Sequence, residues 1–234
     1  RNHFMTIQIY ELCGADQNIL FSPHCWKARL SLAHKGLDHT IMPTPFTKVA
    51  TTEGGDSRRV PVIRDGDTVV EESYEIAKYL DRVYPNAPSL FNGEGGEQLT
   101  QTIINWSNTL VHPAVVKLCL LDIHNALADE DKAFFRRTRE SLFGCTLEEF
   151  DAKFPKNSDG LNAALKPIEM TLKNQPFLGG ESPVFADYVV FGPLQWMRVT
   201  CTRDLMPKDG PVADWFNTLL DMYGGIGRSV PAAV

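Results

Sequence analysis

No apolar run in the chain approaches the roughly 20 residues that a membrane-spanning helix needs; the densest, residues 115–121, falls far short. No basic, apolar, small-residue leader opens the sequence, so secretion is not expected. A cationic excess is missing as well. The 23 lysines and arginines are outnumbered by 29 aspartates and glutamates, for a net charge of −6, which argues against nucleic acid as the main partner. That balance still allows a local basic pocket for a small anion. Cysteine is scarce and unpatterned: five residues, at positions 13, 25, 119, 145 and 201, with no CxxC and no Cys/His metal spacing. No metal is expected, and a reduced, cytoplasmic setting is the simplest reading. Internal repeats and low-complexity segments are lacking too. What is plentiful is apolar side chain, 43 % of 234 residues, which suits one large domain or two small ones and is too much for disorder.

The first third of the chain alternates strand and helix signals. Residues 7–12 (IQIYEL) alternate in polarity and predict a strand. After the polar stretch 14–18, Ser22-Pro23 opens a helical pattern that puts Trp26, Leu30, Ala33 and Leu37 on one face. Serine is a preferred N-cap, proline suits the first helical position, and Gly36 supplies the stop. Residues 39–42 predict a short strand ended by Pro43, and 44–59 a loop with a short helix. Residues 60–63 and 68–70 predict two strands joined around Asp65-Gly66, a strong hairpin signal. Residues 73–83 predict a helix capped by Ser73. A βαβ unit followed by a hairpin and a last helix is the thioredoxin order.

Residues 86–97, rich in Pro, Gly and Asn, predict a linker, and no strand signal follows it. Residues 98–126 predict a helix that Pro113 should kink or divide. Further helices are expected over 131–142, from a capping box at Thr146–Glu149, and over 162–172, 186–199 and 213–222. The segment 186–199 is almost uniformly apolar and should be the buried core helix. The expected organisation is an α/β thioredoxin-like domain over residues 5–85, the linker, and an all-α domain over 98–234.

Several segments carry a family resemblance. The run from Ser22 to Leu30 (SPHCWKARL) resembles the catalytic segment of serine-type glutathione transferases. Val60-Pro61-Val62 is similar to their cis-proline loop, and Glu72-Ser73 to the pair that binds the γ-glutamyl end of glutathione. Phe177-Leu-Gly-Gly180 followed by Phe185-Ala-Asp-Tyr188 resembles the start of their second-domain core helix. A narrower likeness, through Trp26-Lys27, Lys35-Gly36, Gly144 to Glu149, and Gly180 to Trp196, is to the etherase-like branch that holds bacterial β-aryl etherases and the fungal FuA class. One position departs: Val184 stands where most members place Ser or Thr three residues before the buried Asp. Asp187 is then expected to bond backbone amides without the reciprocal cap, with Ser182 as a substitute cap.

The resemblance implies glutathione as co-substrate, a hydrophobic aromatic small molecule as second ligand, and a homodimer. It implies Ser22 as the catalytic hydroxyl. A free thiol is only a few per cent ionised at neutral pH, and lowering its pKa by ~2 units takes ~2.7 kcal/mol of preferential anion stabilisation. A hydroxyl donor and the positive end of a helix together supply that much. A purely structural N-cap is the plainer alternative, although capping uses the oxygen as acceptor and leaves the proton free. Val60 and Pro61 would hold the peptide backbone, Glu72 and Ser73 its γ-glutamyl end, and Lys48 or Arg59 its glycyl carboxylate. Leu20, Phe21, Trp106, Leu110 and Pro113 would line the second pocket. Tyr10 is a rival hydroxyl, more simply placed in a sheet face. Cys25, one turn into the helix, would permit thiol exchange if exposed, but a buried, inert thiol is the simpler expectation, for Cys13 too. His24, His34 and His112 read as surface or packing residues, and Arg136, Arg137 and Arg139 as a solvated helix face. A binding protein for aromatic compounds with little turnover is the other functional reading.

Overall fold

Strand β1 (Ile7–Leu12) alternates buried and half-buried residues, as its sequence predicts, and lies inside a four-stranded sheet of order β2-β1-β3-β4. β2 (His39–Thr44) runs parallel to it; β3 (Val62–Asp65) and β4 (Thr68–Glu71) form an antiparallel hairpin on the other side. This is a computed structural model describing residues 6–55, 57 and 59–234; Arg1–Met5, Asp56 and Arg58, the last two in the expected 44–59 loop, lie outside the described residues. β2 continues through Pro43, where the sequence predicts an end. An edge strand pairs on one side only, so a missing N–H is tolerated there.

Helix α1 (Pro23–His34) closes with Gly36 at φ 65°, where Gly36 N–H donates to Ala33 O at 3.0 Å and Leu37 N–H to Leu32 O at 3.0 Å. That double bond is the glycine-terminated C-cap expected from the sequence. The 44–59 stretch contains one 3-10 segment, Phe46–Gly54. α2 (Ser73–Val83) has the predicted limits, but Glu72 takes the N-cap position and Ser73 is the first helical residue, without a side-chain cap bond.

The second half is helical throughout the described residues: α3 (Glu94–Trp106), α4 (His112–Ala126), α5 (Asp129–Phe143), α6 (Leu147–Ala152), α7 (Asp159–Leu172), α8 (Phe185–Thr200) and α9 (Gly210–Gly225). α3 starts inside the stretch read as linker. Pro113 does divide the first long helix, and a π-turn at Ser107–Val111 absorbs the missing donor. Thr146 and Glu149 form the predicted capping box.

Nearly every residue of α8 is buried, and α8 packs along α1, joining the two halves. A Cβ at Gly192 would run into the carbonyl of Pro23, so this glycine lets α8 touch the start of α1. At the other end His34 Nδ1 lies 2.6 Å from the Tyr188 hydroxyl. The start of α8 is held by Asp187, which accepts from the amides of Leu178 (2.8 Å), Gly179 (3.2 Å) and Val184 (2.9 Å) and from Trp215 Nε1 (2.8 Å). Val184 has no side-chain acceptor, so only the aspartate half of the box exists. Ser182 makes no cap bond; Val184 occupies the N-cap. Among the described residues no helix is long and apolar enough to cross a membrane.

Candidate active site

The start of α1 is where sequence, fold and chemistry meet. Ser22 is 3 % exposed, and its Oγ accepts from Cys25 N–H at 3.3 Å, capping the helix ahead of Pro23. Among the described residues the hydroxyl donates to no oxygen or nitrogen; the neighbour it can bond is the Cys25 thiol, a weak acceptor that an incoming thiolate would outcompete. Ser22 borders a cleft of about 500 Å³ between the two halves of the chain. Directly behind it, Cys25 packs with Val60 and Val62, with Tyr10, Leu12 and Val49 around them. The Val60–Pro61 peptide is cis, as the resemblance implies, and Pro61 O accepts from Glu72 N–H at 3.3 Å. This bond ties the proline loop to the start of α2, where Ser73 is buried. Ser22, Val60, Pro61, Glu72 and Ser73 thus share one region.

Glu72 has φ 71°, a left-handed conformation that costs a non-glycine residue energy and tends to mark functional positions. Its Oε1 is shielded from solvent and lies 2.8 Å from Arg59 Nε, without the alignment of a hydrogen bond. Arg59 therefore stands at the Glu72 end of the region. Lys48 is exposed on the 3-10 segment, beside Val49, and makes no ion pair among the described residues.

Two rival thiol chemistries lose ground in this geometry. Tyr10 donates to Glu53, and burial together with that bond pushes its phenol up to about 12. Burial, with the Glu11 carboxylate nearby, pushes the Cys25 thiol up to about 12 as well. Burial likewise raises Cys13, to about 11. None of these is poised to ionise near neutrality.

Of the residues expected in the second pocket, Phe21 and Pro113 border the cleft. Leu20 is core, its carbonyl accepting from Trp26 Nε1 at 2.9 Å. Trp106 ends α3 against the core. Leu110 is 51 % exposed and faces a separate groove, which Pro113 also borders. The cleft is built mostly from later turns of α4 (Val116, Leu120, Ile123), from Phe135, Phe143 and Phe150, from Phe46, and from Trp196 on α8. Asp131 fixes Phe46 there by accepting from Phe46 N–H and Thr47 N–H, both at 2.9 Å.

Two histidines form one wall. His24 stacks on His112 with centroids 5.6 Å apart, and His112 packs at a tilt against Trp196 at 5.0 Å. Lys27, 3 % exposed, approaches His24 Nδ1 to 3.3 Å. Burial lowers Lys27 to about 8, opposed by the Glu72 carboxylate. It also lowers His112 to about 4 and His24 well below its ordinary value, with the Lys27 charge adding to both. The sequence reads these histidines as surface or packing residues; the spacing of His24 and Lys27 on one helical turn is the signal it offers. An unfolded His112 binds its proton near 6.5, so stability falls as pH drops from there toward 4. Between pH 7 and pH 5 the unfolding free energy should decline by about 2 kcal/mol through His112 alone. Urea denaturation at the two pH values checks this, and His112→Phe should flatten the difference by about that amount.

A family model described as the glutathione S-transferase C-terminal domain matches residues 99–221, and one for the N-terminal domain matches residues 21–83. The glutathione S-transferase-like protein ustS of Aspergillus flavus is 32 % identical over 210 residues, covering 75 % of this chain and 74 % of its own length. Among solved structures, glutathione transferase GSTFuA3 from Phanerochaete chrysosporium has a TM-score of 0.79 at 23 % identity, covering 92 % of this chain and 96 % of that one. GSTFuA2 from the same organism has a TM-score of 0.74 at 26 % identity, covering 95 % and 94 %. Glutathione S-transferase CsGST63524 of Ceriporiopsis subvermispora, solved in complex with glutathione, has a TM-score of 0.77 at 22 % identity, covering 93 % and 96 %. The likenesses at 22 % and 23 % are likenesses of fold. Matched in both halves by the family's domain models, and 32 % identical to a relative across most of its length, the chain belongs to the glutathione S-transferase family.

Proposed function

We propose that the protein is a glutathione transferase in which Ser22 activates the glutathione thiol for attack on, or ether cleavage of, an aromatic compound held in the cleft. The observation that carries this is a buried hydroxyl at a helix N-terminus, using its oxygen to cap the helix and committing its proton to no oxygen or nitrogen, at the edge of an apolar cleft. Glutathione would lie extended past Val60 and Pro61. Its γ-glutamyl ammonium would meet Glu72 and its α-carboxylate the N-terminus of α2 at Ser73. Lys48 is the cation proposed for the glycyl carboxylate, because Arg59 is engaged with Glu72.

With the sulfur at the start of α1, the Ser22 hydroxyl donates to the thiolate and the helix dipole adds to the anion's stability. The thiolate attacks an electrophilic carbon, the carbon–sulfur bond forms, and a halide or aryloxide leaves with the electron pair of the broken bond. Neutral His24 and His112 keep the adjoining wall uncharged, and aromatic rings gain about 25 cal/mol per Å² buried against it. The etherase-like reading draws on the motif run beginning at Ser22 and on the 26 % likeness to GSTFuA2.

Titration with reduced glutathione, then thiol consumption across a panel of aromatic halides and aryl ethers, tests the proposal. Saturable binding with glutathione-dependent turnover is expected. Binding of the aromatics without turnover would instead indicate a carrier of aromatic compounds. Cys25→Ser should retain the wild-type rate within about twofold, since a buried thiol raised to about 12 takes no part. A folded variant that had lost its activity would bring the thiol-exchange reading back.

A further inference from the structure

The charge around the cleft does not match the chain that forms it. The protein carries a net charge of −6, yet no aspartate or glutamate borders the cleft among the described residues. The charged side chains that do border it are Arg139 and Lys117. Several other arginines are matched with carboxylates: Arg29 with Glu11, Arg203 with Asp122, and Arg136, one turn before Arg139 on α5, with both Glu140 and Glu148, whereas Arg198, also without an ion pair among the described residues, bonds backbone carbonyls. Arg139 makes no ion pair among the described residues, and its hydrogen bond is to its neighbour, the Thr138 hydroxyl, at 3.0 Å.

The guanidinium is also fixed in place. It lies 4.7 Å from the ring centre of Phe135 and 5.9 Å from that of Phe46. Asp131 holds the Phe46 backbone, and the Phe46 and Phe135 rings meet edge to face with centroids 5.7 Å apart. A cation drawn out of water without a counter-ion is costly unless something anionic meets it. Burial acts on this group in that direction, lowering its pKa. Trp196, which also borders the cleft, is 8 % exposed, and its indole N–H has no partner among the described residues.

Resting on the reading of this cleft as the second-substrate site, we propose that it selects aromatic anions, and that Arg139 determines that selectivity by pairing with a carboxylate on the aromatic ligand. The planar guanidinium takes the carboxylate through two parallel N–H···O bonds, while Phe46 and Phe135 flank the ring that bears it. Lys117, exposed and 5.2 Å from the Phe154 ring centre, adds a second positive charge at the rim. It contributes attraction on approach more than selectivity, because an exposed charge is screened. Neutral electrophiles gain only the burial of their rings.

The test compares 1-naphthoate with its methyl ester, by quenching of tryptophan fluorescence on the full chain. The wild type should bind the acid about tenfold more tightly than the ester. Arg139→Gln should bring that ratio to about one, Arg139→Lys should keep part of it, and Lys117→Gln should leave most of it. Equal affinity of the wild type for acid and ester overturns the proposal without any variant. So does a preference that survives in folded Arg139→Gln. Glutathione-dependent turnover of a neutral aromatic halide by the wild type reports separately on the transferase reading. Turnover with no acid preference sinks the selectivity alone; acid preference with no turnover of any electrophile sinks the enzyme and leaves the anion site standing.

Discussion

Ser22→Ala should lower turnover by about tenfold to a hundredfold near pH 6.5 while glutathione still binds with nearly its original affinity. A hydrogen bond to a charged partner is worth about 1.5–3 kcal/mol, and this one is made fully only when the sulfur is ionised. The loss therefore falls on the thiolate and not on the peptide, whose ends are proposed to sit at Glu72, Ser73 and Lys48. The pH profile discriminates between roles. Without the hydroxyl the bound thiol should titrate higher, so the variant's rate should recover toward wild type as pH rises to 9. Loss of the cap bond to Cys25 N–H costs about 1 kcal/mol of stability, which leaves the fold intact. A variant with wild-type rate at pH 6.5 would make Ser22 a helix cap and nothing more, with the dipole and backbone amides sufficient for activation.

That the start of α1 is legible in sequence and most of the cleft is not has a physical cause. Ser22-Pro23 declares a helix start through local rules, and Gly36 its end through the sign of φ, each within a few residues. The limits of β1 and α2 follow from equally short-range patterns. The cleft is assembled from α4, α5, α6, α8 and the 3-10 segment, whose side chains meet only once the chain has folded. Trp106 and Leu110 carry the right chemistry, but the π-turn before Pro113 displaces the helical phase, and the following turns of α4 face the cleft. The arginine run on α5 shows the same limit. Arg136 and Arg139 stand only about 60° apart around the helix, yet Arg136 reaches Glu140 and Glu148 while Arg139 borders the cleft. Composition alone reads all three as one solvated face. Knowing which belongs to the cleft requires the rings of Phe46 and Phe135.

The largest loss of stability is expected from breaking the ion pair that ties α1 to β1. Arg29, wholly buried on α1, donates from Nε to Glu11 Oε1 at 2.8 Å and from Nη2 to Oε2 at 2.6 Å, and its guanidinium lies 4.1 Å from the centre of the Trp26 ring. Both side chains of the pair are 1 % exposed, so neither can fall back on water if its partner is removed. Glu11→Gln leaves an uncompensated guanidinium in the core and should cost about 3–5 kcal/mol. Arg29→Met leaves the carboxylate instead, and should cost as much. Combining Glu11→Gln with Arg29→Met removes the stranded charge, and it should restore part of the stability that either single change loses. Denaturant unfolding of the four proteins closes a double-mutant cycle on the pair. Single variants within 1 kcal/mol of wild type would mean that water or rearrangement reaches the site. A double variant as unstable as the sum of the singles would mean that the two residues act independently. Because Trp26 also holds Leu20 O, a shift of Arg29 would move the turn that presents Phe21 and Ser22. Glu11→Gln should therefore lower turnover at temperatures where the protein is still folded, and this separates a support for the active site from a pair that serves stability alone.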